Sequence, residues 1–284
     1  MDGVPEHFDS PRDRAELRRP AHRPGVELYR AHIVDCAFEP HSHDAYGIGV
    51  IDRGVERFRL RGTDHLAAPG SLVAMQPQDL HTGRAETPQG WAYRMIYLDE
   101  ALLGELGGGP AWCFDAAVFA WPDTVAAVGT TLQALWSAAG RTDGALAVDS
   151  LLVELVEQLR PLARTDRAPQ ATSDQRFTPV IDFMRAHLDQ PLTLETLAGV
   201  AGLSPFHFLR SFRAQHHATP QQMLMALRLL DAKRRLAAAE PVAQIAAAVG
   251  LTDQAHLTRA FARRYGVTPA RYQQQLGTRP RRAA

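Results

Sequence analysis

The sequence predicts two domains: an all-β barrel or jelly roll with two following helices, and then an all-α domain of two helix-turn-helix units. Three observations support this prediction. Short apolar runs separated by turn signals lie in the first third of the 284 residues. A degenerate repeat with a spacing of about 48 residues lies near the end of the chain. The two parts also carry opposite net charge, which indicates different partners.

The first 120 residues predict an arm and then a set of short strands. Residues 1–25 are charged and rich in proline, and we expect a loose N-terminal arm there. Residues 26–120 form the expected barrel, because runs rich in aromatic and β-branched residues alternate with turn signals at 52–54 and 68–70. The predicted strands are 46–51, 55–60, 72–75 and 91–98.

Two helices and a linker are expected between the domains, in a segment that we delimit as 121–164. Apolar residues recur at helical spacing in 123–139 and in 143–163. Their apolar surface exceeds one stripe, so it either packs onto the barrel or forms a dimer interface. The polar stretch 165–175 is typical of a linker, and the second domain is expected to cover 176–284.

The repeat predicts two helix-turn-helix units in the second domain. In each copy an apolar helical stripe ends at a glycine, Gly202 or Gly250, which suits a left-handed turn. A cap residue, Ser204 or Asp253, then begins a helix with one buried and one outer side. A long helix over 220–239 is expected to join the units. One ordinary helical hairpin would show such a pattern once, whereas two copies in register favour the repeat.

Charge separates the two parts although the whole chain has a net charge of zero. From residue 176 onward there are 15 Lys and Arg residues against 6 Asp and Glu residues, a balance of +9. The preceding part has 16 against 25, a balance of −9. A basic domain suits phosphate binding, because each neutralised phosphate releases counterions. A solvated charged face is the alternative explanation.

Composition also excludes several classes of protein. No stretch reaches the roughly 18 uninterrupted apolar residues of a membrane helix, and the N-terminus lacks the apolar core of a secretory signal. Cys36 and Cys113 are the only cysteines, too few and too distant for a disulfide framework. We therefore expect a cytoplasmic protein with no membrane partner.

The segment from about 177 to 275 resembles the tandem helix-turn-helix domain of the AraC/XylS family of bacterial transcription regulators. Its most specific part is GLTDQAHLTRAF at 250–261, followed by YGVTPARY at 265–272. The resemblance implies that the second helix of each unit enters the major groove of double-stranded DNA. The base-contacting positions that it implies are Phe206, Leu209, Arg210, Gln254, Ala255, His256 and Arg259.

The chemistry of these positions is uneven. Arginine can pair bidentately with guanine and glutamine with adenine, whereas Phe206, Leu209 and Ala255 offer only apolar contact, for instance with a thymine methyl. Basic charge and helix N-termini favour phosphate instead. The phosphate contacts predicted on that ground are Ser204, Arg213, Arg263 and Arg264.

A second resemblance covers about 26–99. The histidines of 41–43, the glycines and prolines at 54, 69, 70 and 77, and His81 resemble the cupin motifs of the ligand-binding domain in the same family. Cupin enzymes add a glutamate as a metal ligand, but that position falls on Gly47 or Ile48. We therefore prefer a pocket for an organic effector lined by His41, His43 and His81. A three-histidine site for zinc or a similar divalent ion is the alternative, and satisfied core histidines are another.

These patterns predict a sequence-specific transcription regulator controlled by a small-molecule effector bound in the cupin-like domain. The resemblance further implies a homodimer and contact with RNA polymerase. The competing hypothesis is a metal-dependent cupin enzyme, an oxygenase or isomerase, with an appended helical domain. We expect no enzyme activity and no cofactor, because the glutamate is missing while the tandem motif is intact.

Overall fold

The computed structural model describes residues 10–109, 112–164 and 174–277, so 165–173 of the predicted linker lie outside the described residues. The strands are β1 (Arg14–Arg18), β2 (Val26–Ile33), β3 (Phe38–His41), β4 (Ala45–Gly54), β5 (Glu56–Leu60), β6 (Thr63–Ala67), β7 (Leu72–Met75), β8 (His81–Ala85), β9 (Trp91–Asp99), β10 (Cys113–Phe114), β11 (Val118–Phe119) and β12 (Ala163–Arg164). The helices are α1 (Glu100–Gly107), α2 (Pro122–Ala139), α3 (Ala145–Leu159), α4 (Thr178–Ala186), α5 (Leu194–Val200), α6 (Pro205–His216), α7 (Pro220–Ala237), α8 (Val242–Ala248), α9 (Gln254–Tyr265) and α10 (Pro269–Leu276). In these ranges no helix has the length and apolar character needed to cross a membrane.

Two large antiparallel sheets and the two-stranded sheet β10-β12 build the N-terminal domain, which confirms the β-rich prediction. One sheet has the strand order β1-β2-β9-β4-β7-β11 and the other β3-β8-β5-β6. Tyr29, Val73 and Met95 of the larger sheet share one apolar cluster with Phe38 and Phe58 of the smaller sheet. The inner faces of the two sheets therefore enclose the interior of the barrel.

The outer face of the larger sheet is covered by α2 and α3. Val128 and Leu135 of α2 and Leu152 and Leu155 of α3 are fully buried in a cluster with Ile48 of β4. Burial of side chains of this size stabilises the domain by about 1.5 to 3 kcal/mol each. Packing onto the barrel, one of the two alternatives left by the sequence, therefore accounts for most of the apolar surface of these helices.

Residues 1–9 of the expected loose arm lie outside the described residues, and the prediction is wrong for residues 14–18, which form the edge strand β1. Arg14 to Arg18 pair antiparallel with β2. Ala15 and Leu17 are buried while Glu16 is exposed, so the segment has the period-two pattern of a half-buried strand. The flanking arginines hide this short alternation in the sequence, and the neighbouring strand supplies the hydrogen bonds that make it a strand.

The C-terminal domain contains the two predicted helix-turn-helix units, α5 with α6 and α8 with α9, joined by α7. Thr193, Ser204 and Asp253 each accept a hydrogen bond from the backbone N–H three residues later, at the start of α5, α6 and α9. Gly202 and Gly250 have φ values of +64° and +68°. Residues with a side chain rarely adopt this backbone conformation, so both tight turns depend on glycine.

The C-terminal domain packs against one end of the barrel. Helices α7 and α9 contact β3, and α10 contacts β1. Lys233 Nζ of α7 lies 2.8 Å from Glu27 Oε1 of β2, and Arg264 Nη2 of α9 lies 2.7 Å from Glu39 Oε2 of β3. The backbone N–H of Leu17 donates to the side chain of Gln275 at 2.7 Å. The helical domain thus covers the interior that the two sheets enclose.

Candidate functional site

The outer face of α6 carries the base-contacting candidates of the first unit. Phe206 is 69% exposed and Arg210 is exposed, whereas Leu209 is half-buried. On the opposite side Phe208 and Phe212 are fully buried. The helix is therefore fixed by one face and presents the other, as a groove-binding helix requires.

Helix α9 has the same division between buried and outer faces in the second unit. Ala255 and Arg259 are exposed, and Gln254 and His256 are half-buried at the first turn. The Asp253 carboxylate accepts the His256 backbone N–H at 2.7 Å. Asp253 therefore acts as a helix cap, which accounts for an acidic residue at an end that was expected to face phosphate.

Three of the four phosphate candidates are accessible. Ser204 and Arg213 are exposed near the two ends of α6. The Arg263 side chain is 60% exposed, and its Nη1 lies 3.4 Å from Glu39 Oε1. Such an exposed pair is weak, so Arg263 can exchange this carboxylate for a phosphate.

Arg264 does not fit its prediction as a phosphate contact, because it is 6% exposed and faces the barrel. Its guanidinium donates to the Pro40 carbonyl at 3.2 Å and to the Ala260 carbonyl at 3.3 Å, beside Glu39. Burial lowers the pKa of Arg264. The signal was present in the sequence, since position 264 lies seven residues after Leu257 and shares its inner helical face.

The three candidate histidines lie together inside the barrel. His41 on β3 pairs directly with His81 on β8, and His43 follows two residues after His41. All three are buried, and one ring nitrogen of each lies within 4.8 Å of the other two. The ring centres are 4.2 Å apart for His41 and His81, 5.1 Å for His41 and His43, and 5.4 Å for His43 and His81.

Hydrogen bonds define the tautomer of two of these rings. Nδ1 of His41 lies 2.8 Å from the Glu39 carbonyl, and Nδ1 of His81 lies 2.9 Å from the Asp79 carbonyl. A carbonyl oxygen can only accept, so each Nδ1 carries the proton and donates it. Burial holds the pKa of His41 well below its usual range, and it lowers the pKa of His81 in the same way. In these neutral rings Nε2 keeps a free lone pair.

His43 differs from the other two histidines. Among the described residues neither of its buried ring nitrogens has a hydrogen-bond partner, and burial holds its pKa well below the usual range. Its ring centre lies 4.3 Å from that of Tyr97, with the two rings tilted by 32°, and 5.7 Å from that of Tyr265, the last residue of α9. A buried polar ring without a protein partner calls for a water molecule or a ligand as its partner.

Both domains supply the wall of the cavity around these histidines. Barrel residues form most of the wall, and Lys233, Arg264, Tyr265, Val267 and Tyr272 complete it from the C-terminal domain. The cavity has a volume of about 50 Å³, which is room for roughly three to five water molecules. It therefore suits an ion or a very small group rather than a large organic molecule.

Lys233, the only lysine of the chain, is the interface residue that sequence reasoning missed. Its ammonium is paired with Glu27 and lies 5.2 to 5.6 Å from the ring centres of Tyr97, Tyr265 and Tyr272. The Tyr272 hydroxyl donates to Glu27 Oε2 at 2.9 Å. The one usable signal was compositional, because a single lysine among thirty arginines marks an unusual position.

Glu56 is a second missed residue of the same cavity wall. Burial raises the pKa of its carboxyl group to about 8.

The cupin glutamate position, by contrast, holds no carboxylate. A Cβ on Gly47 would lie 3.2 Å from the Tyr97 ring, so the aromatic ring fills the space at that strand position.

A ligand-binding barrel joined to two helix-turn-helix units defines a ligand-responsive transcription regulator. The AraC-like ligand binding domain family matches residues 23–156, and the helix-turn-helix domain family matches residues 197–275. The regulatory protein SoxS of Salmonella typhimurium is 33% identical over 103 residues, which cover 96% of that protein and 36% of this chain. The chain belongs to the AraC family of transcription regulators.

Other relatives cover both domains. The HTH-type transcriptional regulator YbfI of Bacillus subtilis is 27% identical over 241 residues, which cover 82% of this chain and 86% of that protein. An apo form of a ToxT point variant from Vibrio cholerae has a TM-score of 0.55 at 10% identity, over 89% of this chain and 98% of ToxT. A wild-type ToxT structure with bound unsaturated fatty acid has a TM-score of 0.53 at 9% identity, over 97% and 100% of the two chains. At this identity the likeness to ToxT shows the shared fold alone.

Proposed function

We propose that this regulator adjusts its DNA binding to a small molecule held between its two domains. The supporting observation is that both domains line the histidine cavity and a neighbouring cavity of about 160 Å³. The residues common to both cavities are Glu27, His43, Tyr97, Lys233 and Tyr272. A ligand that contacts both domains has a different affinity for the arrangement in which the domains touch and for one in which they are apart. Such a difference is required for coupling between ligand binding and DNA binding.

The larger cavity provides the room that an organic effector needs, and the histidine cavity provides polar groups at its inner end. The predicted effector contacts His41, His43 and His81 therefore belong to one part of this space, and Lys233 stands where the two parts meet. One ToxT structure holds an unsaturated fatty acid, so an organic effector is compatible with this fold.

The proposed DNA contacts follow from exposure. Arg210, Gln254 and Arg259 supply the hydrogen bonds to base edges, with Phe206, Leu209, Ala255 and His256 beside them. Ser204, Arg213 and Arg263 bind phosphates. Their accessibility on α6 and α9 supports this assignment, whereas Arg264 is left out because it faces the barrel.

Sequencing the genomic DNA fragments retained by the purified full-length protein tests the proposal. We expect enrichment of one site in which two major-groove segments lie about one helical turn apart. The double variant Arg210→Ala, Arg259→Ala should lose that enrichment, while Arg141→Ala on the barrel domain should keep it. Equal retention of all fragments by the folded wild-type protein contradicts the proposal.

We also propose a homodimer formed through the outer side of α3. Leu146 and Val153 lie seven residues apart on one helical face and are 78% and 49% exposed. Leu146→Glu combined with Val153→Glu should then give monomers in sedimentation, while Ala147→Glu should not. Contact with RNA polymerase at the promoter and a cytoplasmic location complete this proposal, because the related proteins are transcription regulators.

We further propose that the chain has no enzyme activity. The related proteins are regulators, and Gly47 stands where cupin enzymes place their glutamate ligand. Assays of the purified, metal-loaded protein for oxygenase and isomerase turnover should give none above the background of the His81→Gln variant.

A further inference from the structure

We propose that His41, His43 and His81 bind one divalent transition metal ion, and that this ion is part of the effector signal. The second half of the proposal rests on the proposed function, whereas the first half rests on the site alone. Zinc is the representative ion, because imidazole nitrogen is among its preferred ligands.

The separation of the rings fits a metal ion. A tetrahedral zinc ion with zinc–nitrogen distances of about 2.0 Å places the centres of its imidazole rings about 5 Å apart. The distances from His43 to the other two rings are 5.1 and 5.4 Å. The distance between His41 and His81 is 4.2 Å, so these two rings need to separate by a little under 1 Å.

The donor atoms are also prepared for a metal. In His41 and His81 the Nδ1–H donates to a backbone carbonyl, at Glu39 and Asp79. This second hydrogen bond is typical of metal-bound histidines, because it orients the ring and leaves Nε2 as the ligand. His43 has two buried nitrogens without a partner among the described residues, and one of them gains a partner when an ion binds.

The surroundings can accept a dication. Lys233 and Arg264 oppose it, but Glu27, which pairs with Lys233, lines the same cavity and offers negative charge. The cavity volume of about 50 Å³ suits an ion with one or two water molecules better than an organic group. Three protein ligands leave one tetrahedral position open, as in zinc sites that exchange a water molecule or a bound group.

The link to DNA runs through Tyr265. Its ring lies 5.6 Å from the His41 ring and 5.7 Å from the His43 ring, and its carbonyl accepts the Tyr29 hydroxyl at 2.9 Å. When the histidines move to bind an ion, they displace Tyr265 at the C-terminal end of α9. The same helix carries Gln254 and Arg259. The ion therefore changes the packing of the second helix-turn-helix unit on the barrel.

The test uses the full-length chain with its affinity tag removed and with metal stripped by a chelator. Co²⁺ and Zn²⁺ are the probes. We expect about one ion per chain by elemental analysis, a visible cobalt spectrum typical of tetrahedral nitrogen coordination, and a higher melting temperature with the ion, because an ion that binds only the folded state stabilises it. His43→Gln and His81→Gln should lose all three effects. The matched control is His32→Gln on the exposed side of β2, which should keep them.

Two results would overturn the metal site, and the first needs only the wild-type chain. Less than about a tenth of an ion per chain at excess Zn²⁺, or the same uptake by wild type and by folded His43→Gln, refutes it. Operator affinity measured with and without the ion tests the signalling role of the ion separately. An ion that binds stoichiometrically but leaves operator affinity unchanged refutes the signalling role and leaves the site standing. If no ion binds, while variants at the domain interface such as Glu27→Gln still change operator affinity, the metal site is refuted and the proposed function is not.

Discussion

The ion pair between Glu27 and Lys233 should hold the two domains together, and Glu27→Gln should weaken that contact. The side chains of Glu27 and Lys233 are 12% and 15% exposed, and Glu27 also accepts a hydrogen bond from Tyr272. Removing one member of a buried pair costs about 3 to 5 kcal/mol. Glutamine keeps one oxygen for Tyr272, and residual exposure screens the remaining ammonium, so we expect a loss of about 2 kcal/mol.

A double-mutant cycle measured by urea unfolding isolates this interaction. The variants are Glu27→Gln, Lys233→Met and the two together. Because Lys233→Met also removes the charge that the glutamine would leave unpaired, the double variant should lose about 1 to 2 kcal/mol less than the sum of the single variants. Glu16→Gln on the exposed side of β1 is the control and should stay within about 0.5 kcal/mol of wild type.

Two results would refute this reasoning. One is strict additivity of the single variants, which would mean that the ammonium and the carboxylate do not depend on each other. The other is a Glu27→Gln variant as mild as Glu16→Gln. In either case the ion pair does not stabilise the contact between α7 and β2, and it gives no support to coupling between the cavity and DNA binding.

The other predictions concern the DNA-binding faces, one helix cap and one buried acid. Arg210→Ala and Arg259→Ala should each weaken the best site by about 1 to 3 kcal/mol and relax preference at one or two base pairs, as measured with single-base operator variants. Arg263→Ala should instead weaken all sequences alike and reduce the slope of log affinity against log salt by about one. If all three variants behave alike, the division into base and phosphate contacts is wrong. Ser204→Ala should lower the free energy of unfolding by about 1 kcal/mol through the lost cap, and an unchanged urea midpoint would contradict this. For the metal-free chain the contribution of Glu56 to the free energy of unfolding should fall as pH rises from about 4.5 to about 8, because folded Glu56 ionises later than unfolded Glu56. The buried histidines act in the opposite direction below about pH 6.5 and are common to wild type and Glu56→Gln. The difference between the two proteins therefore isolates Glu56, and equal pH slopes for both would mean that folded Glu56 is already ionised.

The tandem helix-turn-helix domain could be predicted because its signals are local. Ser204 and Asp253 cap helices within three residues of their own position, and Gly202 and Gly250 adopt the backbone angles that only glycine favours. Such features depend on a few neighbouring residues, so one sequence contains the information. The strand β7 was predicted for a similar reason, since a short apolar run between turn signals has few other solutions.

The missed features depend on the contact between domains. The spacing from Leu257 places Arg264 on the inner face of α9, but nothing in the sequence shows that β3 covers this face at the end of the helix and leaves Arg263 exposed. Lys233 lies on a helix whose apolar periodicity predicts burial of leucines. No residue near it in the sequence indicates that Glu27 is its partner. The grouping of His41 with His81 was expected, but their hydrogen bonds to Glu39 and Asp79 follow from the path of the backbone and could not be foreseen.

The position of Tyr265 has a mechanical consequence for how a signal reaches an operator. It ends a helix of 12 residues, about 18 Å long, which carries Gln254 at its other end and Arg259 near its middle. A tilt of this helix by a few degrees about Tyr265 would shift Gln254 by about 1 Å. Hydrogen bonds to base edges tolerate a shift of only a few tenths of an ångström. The ring contacts with the histidines come from α9 and not from α6, so we expect an effector that tilts α9 to alter the DNA contacts of the second unit while those of the first unit keep the protein on its site.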